Sequence, residues 1–188
     1  MAPETPENLI LWIGQLEKYG LRHWAITMER ILREYPAYRW VILGWSWGKK
    51  DRSTTAWAFH GLQLPHDRIE IARVSINEVA HTASRARAVL VSMGLDAACG
   101  AALEAHAMGR PVLSGDGMVF KYANPDGTGL RVRSGEHRYR ALKLLIDDPD
   151  LGDRLGRASK AHVLANYTEP NLRRDSRSCC ASSRYGSS

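Results

Sequence analysis

Two hydrophobic periods alternate along this chain. Leu9 to Ile13 (LILWI) is a continuous apolar run closed by Gly14, which suits a strand covered on both faces, as inside a parallel sheet. The next apolar positions, Leu21, Trp24, Ala25, Met28, Ile31 and Leu32, recur at helical spacing, with Arg22, Glu29, Arg30 and Arg33 on the other side. That pattern predicts an amphipathic helix, bounded by Pro36. Arg39 to Leu43 (RWVIL) is a second apolar run, closed by Gly44. Strand, helix and strand, with a glycine after each strand, fit a right-handed parallel crossover. Ser53 to His60 allows a short helix and Arg68 to Ile71 a third strand. Ile76 to Arg87 reads as a helix opened by a capping box of Ser75 and Glu78. Ala88 to Val91 predicts another buried strand, Gly100 to Met108 a helix, and the apolar run after Pro111 a strand. Gly129 to Val132 is a last short strand and His137 to Ile146 is helical by period. Asp148, followed by Pro149 at the first helical position, opens a helix to about Asn166, with Leu151, Leu155, Ala158, Ala161, His162 and Leu164 as its apolar side. The whole predicts a doubly wound, Rossmann-like α/β domain with about six mostly parallel strands and a ligand at their carboxyl ends.

The stretch from Ser92 to Ser114 (SMGLDAACGAALEAHAMGRPVLS) carries the most chemistry. Its small-residue loop, with Gly94, Ala97, Ala98, Cys99 and Gly100, lets a ligand come close to the backbone. The free N–H groups at the following helix start, around Cys99, Gly100 and Ala101, favour an anion such as a diphosphate. Glu104 lies about one turn past Gly100, where a carboxylate accepts hydrogen bonds from the vicinal hydroxyls of a ribose. Asp96 sits on the loop, within reach of a neighbouring sugar hydroxyl. Each residue also has a plainer reading: Glu104 as a solvated helix residue, Asp96 as a turn former, and Gly109-x-Pro111 as a helix stop. His106 and His162 read as packed histidines rather than catalysts.

Composition narrows the class. Of 188 residues, 44% are hydrophobic and 24% charged, a balance typical of globular domains, and the length suits one α/β domain. No run of about 18 apolar residues appears, so no transmembrane helix is expected, and the start (MAPETPENL) lacks the features of a signal peptide. Three cysteines, Cys99 and the adjacent Cys179 and Cys180, make neither a disulfide framework nor a zinc site; a reducing cytoplasm is the expected compartment and no metal is expected. The net charge of +6 suits anionic nucleotides and leaves room for peripheral contact with a membrane surface. Part of it sits in residues 169–188, an Arg- and Ser-rich tail expected to be disordered. No basic stripe interleaved with aromatics marks a nucleic-acid surface. Residues 1–8, with two prolines and two glutamates, read as a linker, and 9–168 as the domain. Trp45 to Lys50 (WSWGKK) suits either ligand stacking or cover for a core edge.

Asp96, Cys99-Gly100, Leu103-Glu104-Ala105 and Ala107-Met108-Gly109-Arg110-Pro111-Val112 together resemble the donor-site signature of family 4 glycosyltransferases, retaining enzymes of the two-domain GT-B fold. In that family two glutamates flank a glycine-rich loop; here Glu104 matches the second and Asp96 stands at the first. The resemblance covers roughly residues 9 to 168 and implies the C-terminal, donor-binding half of such an enzyme. It implies a nucleotide-diphosphate sugar as donor, hexosyl transfer, no metal, and an N-terminal acceptor-binding domain or a partner subunit. It also places Gly14 and Gln15 in the loop that meets the diphosphate, where the family carries an arginine at the position of Gln15. Lys18 becomes a phosphate partner, Arg73 to Ser75 with Val74 border the base, and Gly115 to Met118 face the sugar. Two other classes compete: a noncatalytic nucleotide-binding or interaction module, marked by Gln15, Asp96 and the alanines of the loop, and a nicotinamide dinucleotide enzyme. Against the latter, Gly14-Gln15-Leu16-Glu17-Lys18-Tyr19 has no Gly-x-Gly-x-x-Gly run after the first strand.

Overall fold

A computed structural model describes residues 5–15, 20–45, 51–72, 76–91, 99–116 and 124–167. Six strands, β1 (Leu9–Gln15), β2 (Arg39–Trp45), β3 (Ile69–Ala72), β4 (Ala88–Val91), β5 (Val112–Gly115) and β6 (Gly129–Val132), form one sheet in the order β3-β2-β1-β4-β5-β6. Every neighbouring pair is parallel. The helices are α1 (Gly20–Glu34), α2 (Asp51–Phe59), α3 (Ile76–Arg85), α4 (Cys99–Ala107), α5 (Gly135–Asp147) and α6 (Pro149–Asn166).

Alternation along β1 explains its unbroken apolar run. Ile10 and Trp12 enter a core with Leu21, Trp24, Met28, Ile31 and Leu32 of α1 and Leu142 and Leu145 of α5. Leu9, Leu11 and Ile13 enter a second core with Ala83 of α3 and Ala102 and Ala105 of α4. Helices thus cover both faces of the central strand, and each fully buried aliphatic side chain contributes about 1.5–3 kcal/mol. β3, at the sheet edge, is only half covered and leaves Ile71 45% exposed.

Several boundaries differ from the sequence reading, each for a tertiary reason. β1 and β2 run on to Gln15 and Trp45, because the parallel ladder continues through Gly14↔Gly44 and Gln15↔Trp45. Arg68 lies in a short 3-10 turn before β3; its guanidinium donates to the carbonyls of Leu32, Pro36 and Tyr38, at 2.8, 3.2 and 3.2 Å, and so closes the end of α1. α3 stops at Arg85, whose carbonyl accepts from the Glu7 N–H, while the Arg87 N–H donates to Leu9. α5 starts at Gly135, earlier than its apolar period suggests, with Ser134 as N-cap accepting from the His137 N–H.

α6 is capped by Asp148 as expected, its side chain accepting from the Leu151 N–H at 2.9 Å. Its buried face is not the expected one. Gly152, Leu155, Gly156, Ser159 and Val163 face inward, whereas Ala158 and Ala161 are exposed and Leu164 is 57% exposed. The helix packs through its small residues: a Cβ on Gly156 would lie 2.1 Å from the carbonyl oxygen of Gly109. Gly109 itself, at φ +73°, ends α4. Its N–H donates to His106 and that of Arg110 to Ala105, the paired bonds of a left-handed helix stop. His106 is fully buried, as expected; His162 is half-buried, its ring 5.7 Å from that of Tyr167.

Candidate functional site

The strand order places β1 between β2 and β4. Chain connections leave β1 toward one side of the sheet and enter β4 on the other, and in open α/β sheets a ligand crevice forms outside the carboxyl ends at that reversal. Gly14 and Gln15 end β1 there, Val91 ends β4, and Cys99 and Gly100 open α4 on the chain's return from β4.

Gly14 is buried inside the strand rather than in a loop after it. A Cβ at this position would stand 3.1 Å from two ring atoms of Trp12, so glycine makes room for a fully buried indole. Trp24 of α1 sets the other wall: its indole N–H donates to the Val91 carbonyl at 2.9 Å, in a buried bond that ties α1 to the carboxyl end of β4. Sequence periodicity places Trp24 on the core face but gives no sign of this bond.

On α4, Ala102 and Ala105 are buried while Gly100 and Glu104 are exposed. Residues four apart on a helix lie one above the other on the same face. The space that a Cβ on Gly100 would occupy is empty for 4 Å among the described residues. Among the described residues nothing therefore packs over Gly100 in the first turn of α4, Glu104 lies one turn further on the same face, and Ala101 stands half-buried beside them. Of the other sequence candidates, Lys18, Val74 and Asp96 lie outside the described residues, as do Arg73, Ser75 and most of the WSWGKK stretch.

Asp116, just past β5, is committed to β6. Its carboxylate accepts from Arg133 and, at 3.2 Å, from Arg131. The Arg133 hydrogen bond, together with that of Arg131, holds its carboxyl below the usual carboxylate range. Buried Asn124 donates to the Ser114 hydroxyl at 2.9 Å and to the Val112 carbonyl at 3.3 Å, bracing β5 beneath.

Arg138 of α5 has a different environment. It is 7% exposed, its Nε donates to the Thr27 hydroxyl at 3.4 Å, and its guanidinium carbon lies 6.0 Å from the centre of the Trp24 ring. Burial lowers its pKa. Burial and the neighbouring Arg138 charge likewise lower that of His23. A cavity of about 320 Å³ between Glu29, Arg33, Gln63, Leu64, Pro65 and Arg68 lies at the opposite, amino edge of the sheet, where Arg68 is already engaged in closing α1.

These features define a doubly wound α/β domain, and comparison with solved structures specifies the architecture. Sucrose-phosphate synthase from Thermosynechococcus elongatus superposes with a TM-score of 0.69 at 20% identity, over 97% of this chain and 47% of that one. The C-terminal domain of a glycosyl transferase group 1 family protein (LpcC) from Francisella tularensis gives 0.68 at 18% identity, over 88% of this chain and 89% of that one. UDP-GlcNAc 2-epimerase from Neisseria meningitidis, bound to UDP-GlcNAc, gives 0.60 at 18%, over 85% and 44%. The fold is that of one Rossmann-like half of the GT-B architecture, and this chain spans about half the length of the first of these structures. No protein-family model and no curated protein matches the sequence.

Proposed function

We propose that this chain is the donor-binding domain of a retaining, family 4-like glycosyltransferase, which holds a nucleotide-diphosphate sugar for hexosyl transfer to an acceptor bound by an N-terminal domain or a partner subunit. The observation that carries the reading is the open Gly100–Glu104 face at the first turn of α4, set beside the β1/β4 reversal of a 3-2-1-4-5-6 sheet. Support comes from the resemblance around Glu104 and from a structural neighbour that binds UDP-GlcNAc.

In this reading the diphosphate meets the backbone N–H groups at Cys99, Gly100 and Ala101, the positive end of the α4 dipole, with Lys18 as a further cation. Glu104 accepts from the ribose hydroxyls, Asp96 orients the sugar, Val74 borders the base, and Gly14 and Gln15 line the entry. Negative charge develops on the departing diphosphate, so donors aimed there stabilise the transition state more than the ground state. The reading calls on no metal and places the reaction in the cytoplasm. A second reading, a noncatalytic nucleotide-binding module, is favoured by Gln15, which offers neutral hydrogen bonds where a charged donor would be roughly twice as strong.

Thermal stabilisation by UDP, GDP and ADP tests the proposal. One of them, at about 100 times its dissociation constant, should stabilise the wild type by about 2.7 kcal/mol, and Glu104→Ala should lose most of that gain. A wild type that none of them stabilises would sink the donor-domain reading. Binding without any transfer, when the acceptor unit is supplied, would select the noncatalytic module.

A further inference from the structure

Arg138 of α5 is a buried arginine whose charge meets no acidic partner among the described residues. A guanidinium carries five N–H donors and a permanent charge. Here, among the described residues, its side chain makes one hydrogen bond, the 3.4 Å contact to Thr27, and no ion pair. The other arginines of its neighbourhood are paired: Arg30 with Glu136, Arg131 and Arg133 with Asp116, and Arg140 with Glu136. A charge that is nine-tenths buried without a counter-ion costs stability. Its Nη atoms are not among the fully buried unpaired atoms, so the tip of the group reaches the surface.

Geometry gives the direction. Helical side chains lean toward the helix N-terminus, and Nη2 lies 3.4 Å from where a Cβ on Gly135 would stand, level with the first turn of α5. That turn follows the carboxyl end of β6. The guanidinium carbon is 6.0 Å from the Trp24 ring, and Trp24 is hydrogen-bonded to the last residue of β4. The charge therefore sits one indole away from the β1/β4 reversal, at the same edge of the sheet as the start of α4.

We propose that Arg138 is a binding residue for a phosphate-class oxyanion at this edge, the diphosphate of the nucleotide sugar, and that its missing counter-ion is the ligand. The proposal rests on the donor-domain reading and deepens it. Thr27 and the Trp24 face hold the fork in place, and the free Nη pair matches two oxygens of a phosphate.

Isothermal titration of wild type, Arg138→Met and Arg138→Lys with UDP, GDP, ADP and inorganic pyrophosphate tests it. Losing charge-assisted bonds should weaken the diphosphate that binds best by about 10- to 100-fold in Arg138→Met, with a smaller loss in Arg138→Lys, which keeps the charge but not the fork. Without ligand, the melting temperature of Arg138→Met should equal or exceed that of wild type, because an unpaired buried charge has gone. Should Arg138→Met fail to fold, the role is structural unless Arg138→Lys folds and binds measurably more weakly. Equal diphosphate affinity in all three proteins would overturn this role for Arg138 and leave the donor-domain reading standing. Arg138-dependent binding of pyrophosphate with no preference among nucleotides would keep the oxyanion site and overturn the nucleotide reading. A wild type that binds none of the four overturns both.

Discussion

Single residues at the carboxyl edge carry distinct jobs, and two of them can be separated by substitution. Trp24 both fills the core and supplies the N–H that satisfies the Val91 carbonyl. Trp24→Phe keeps most of the volume but leaves that carbonyl without its indole donor, at a cost of about 1–3 kcal/mol, which urea unfolding would register. Gly14 is constrained by Trp12 rather than by backbone angle. Because Trp12 is fully buried it has nowhere to move, so Gly14→Ala should cost about 1–3 kcal/mol by overpacking. A Gly14→Ala protein as stable as wild type would show that the indole has more room than its surroundings indicate.

At the scale of elements, the contact between α4 and α6 is the most informative. Gly156 lies against the Gly109 carbonyl, whereas a Cβ on Gly152 would meet only Pro111, at an ordinary 3.9 Å. Gly156→Ala should therefore destabilise by about 1–3 kcal/mol or more. Gly152→Ala should stabilise by up to about 1 kcal/mol, because alanine is the better helix former and nothing stands in its way. Paired melting curves of the two variants would check the sign difference. This contact also shows where sequence reading stops. It recovered β1, β2, β4 and α1 because their apolar residues report burial directly. It misjudged the inward face of α6 because a face built from Gly152, Gly156 and Ser159 has no hydrophobic signal. Arg68 fails similarly: beside Ile69 it looks like strand, but its hydrogen bonds to the end of α1 hold it in a turn. In the site, Glu104 and Gly100 were legible as a helix start with an acid one turn on. The Trp24–Val91 bond and the Arg138–Thr27 contact are not legible, since each joins residues far apart along the chain.

For the molecule as a whole, ion pairs fasten the segment before β1 to the amino edge of the sheet. Glu7 accepts from both Arg39 and Arg85, and its backbone N–H donates to Arg85, which ties the segment before β1 to the far end of α3. The Arg85 hydrogen bond, followed by that of Arg39, lowers the Glu7 pKa below its usual 4.5. The carboxylate therefore contributes stability that is fully present above pH 4.5 and is lost as pH falls through the lowered folded value. Glu7 is partly exposed, so the contribution is within about 1 kcal/mol. Glu7→Gln should be less stable than wild type at pH 7, and the gap should close as the solution is acidified below 4.5. A gap independent of pH would assign the effect to packing.

In the proposed reading this carboxyl edge binds a nucleoside diphosphate through the first turn of α4. Amide hydrogen exchange with and without saturating UDP, GDP or ADP measures it most directly, because it reports position as well as binding. Exchange should slow at Gly100 to Glu104 with the nucleotide that binds, while Gln63 to Arg68 at the amino edge stays unchanged. Protection confined to Gln63 to Arg68, or no protection on α4 with any of the three, would rule out nucleotide binding at the start of α4.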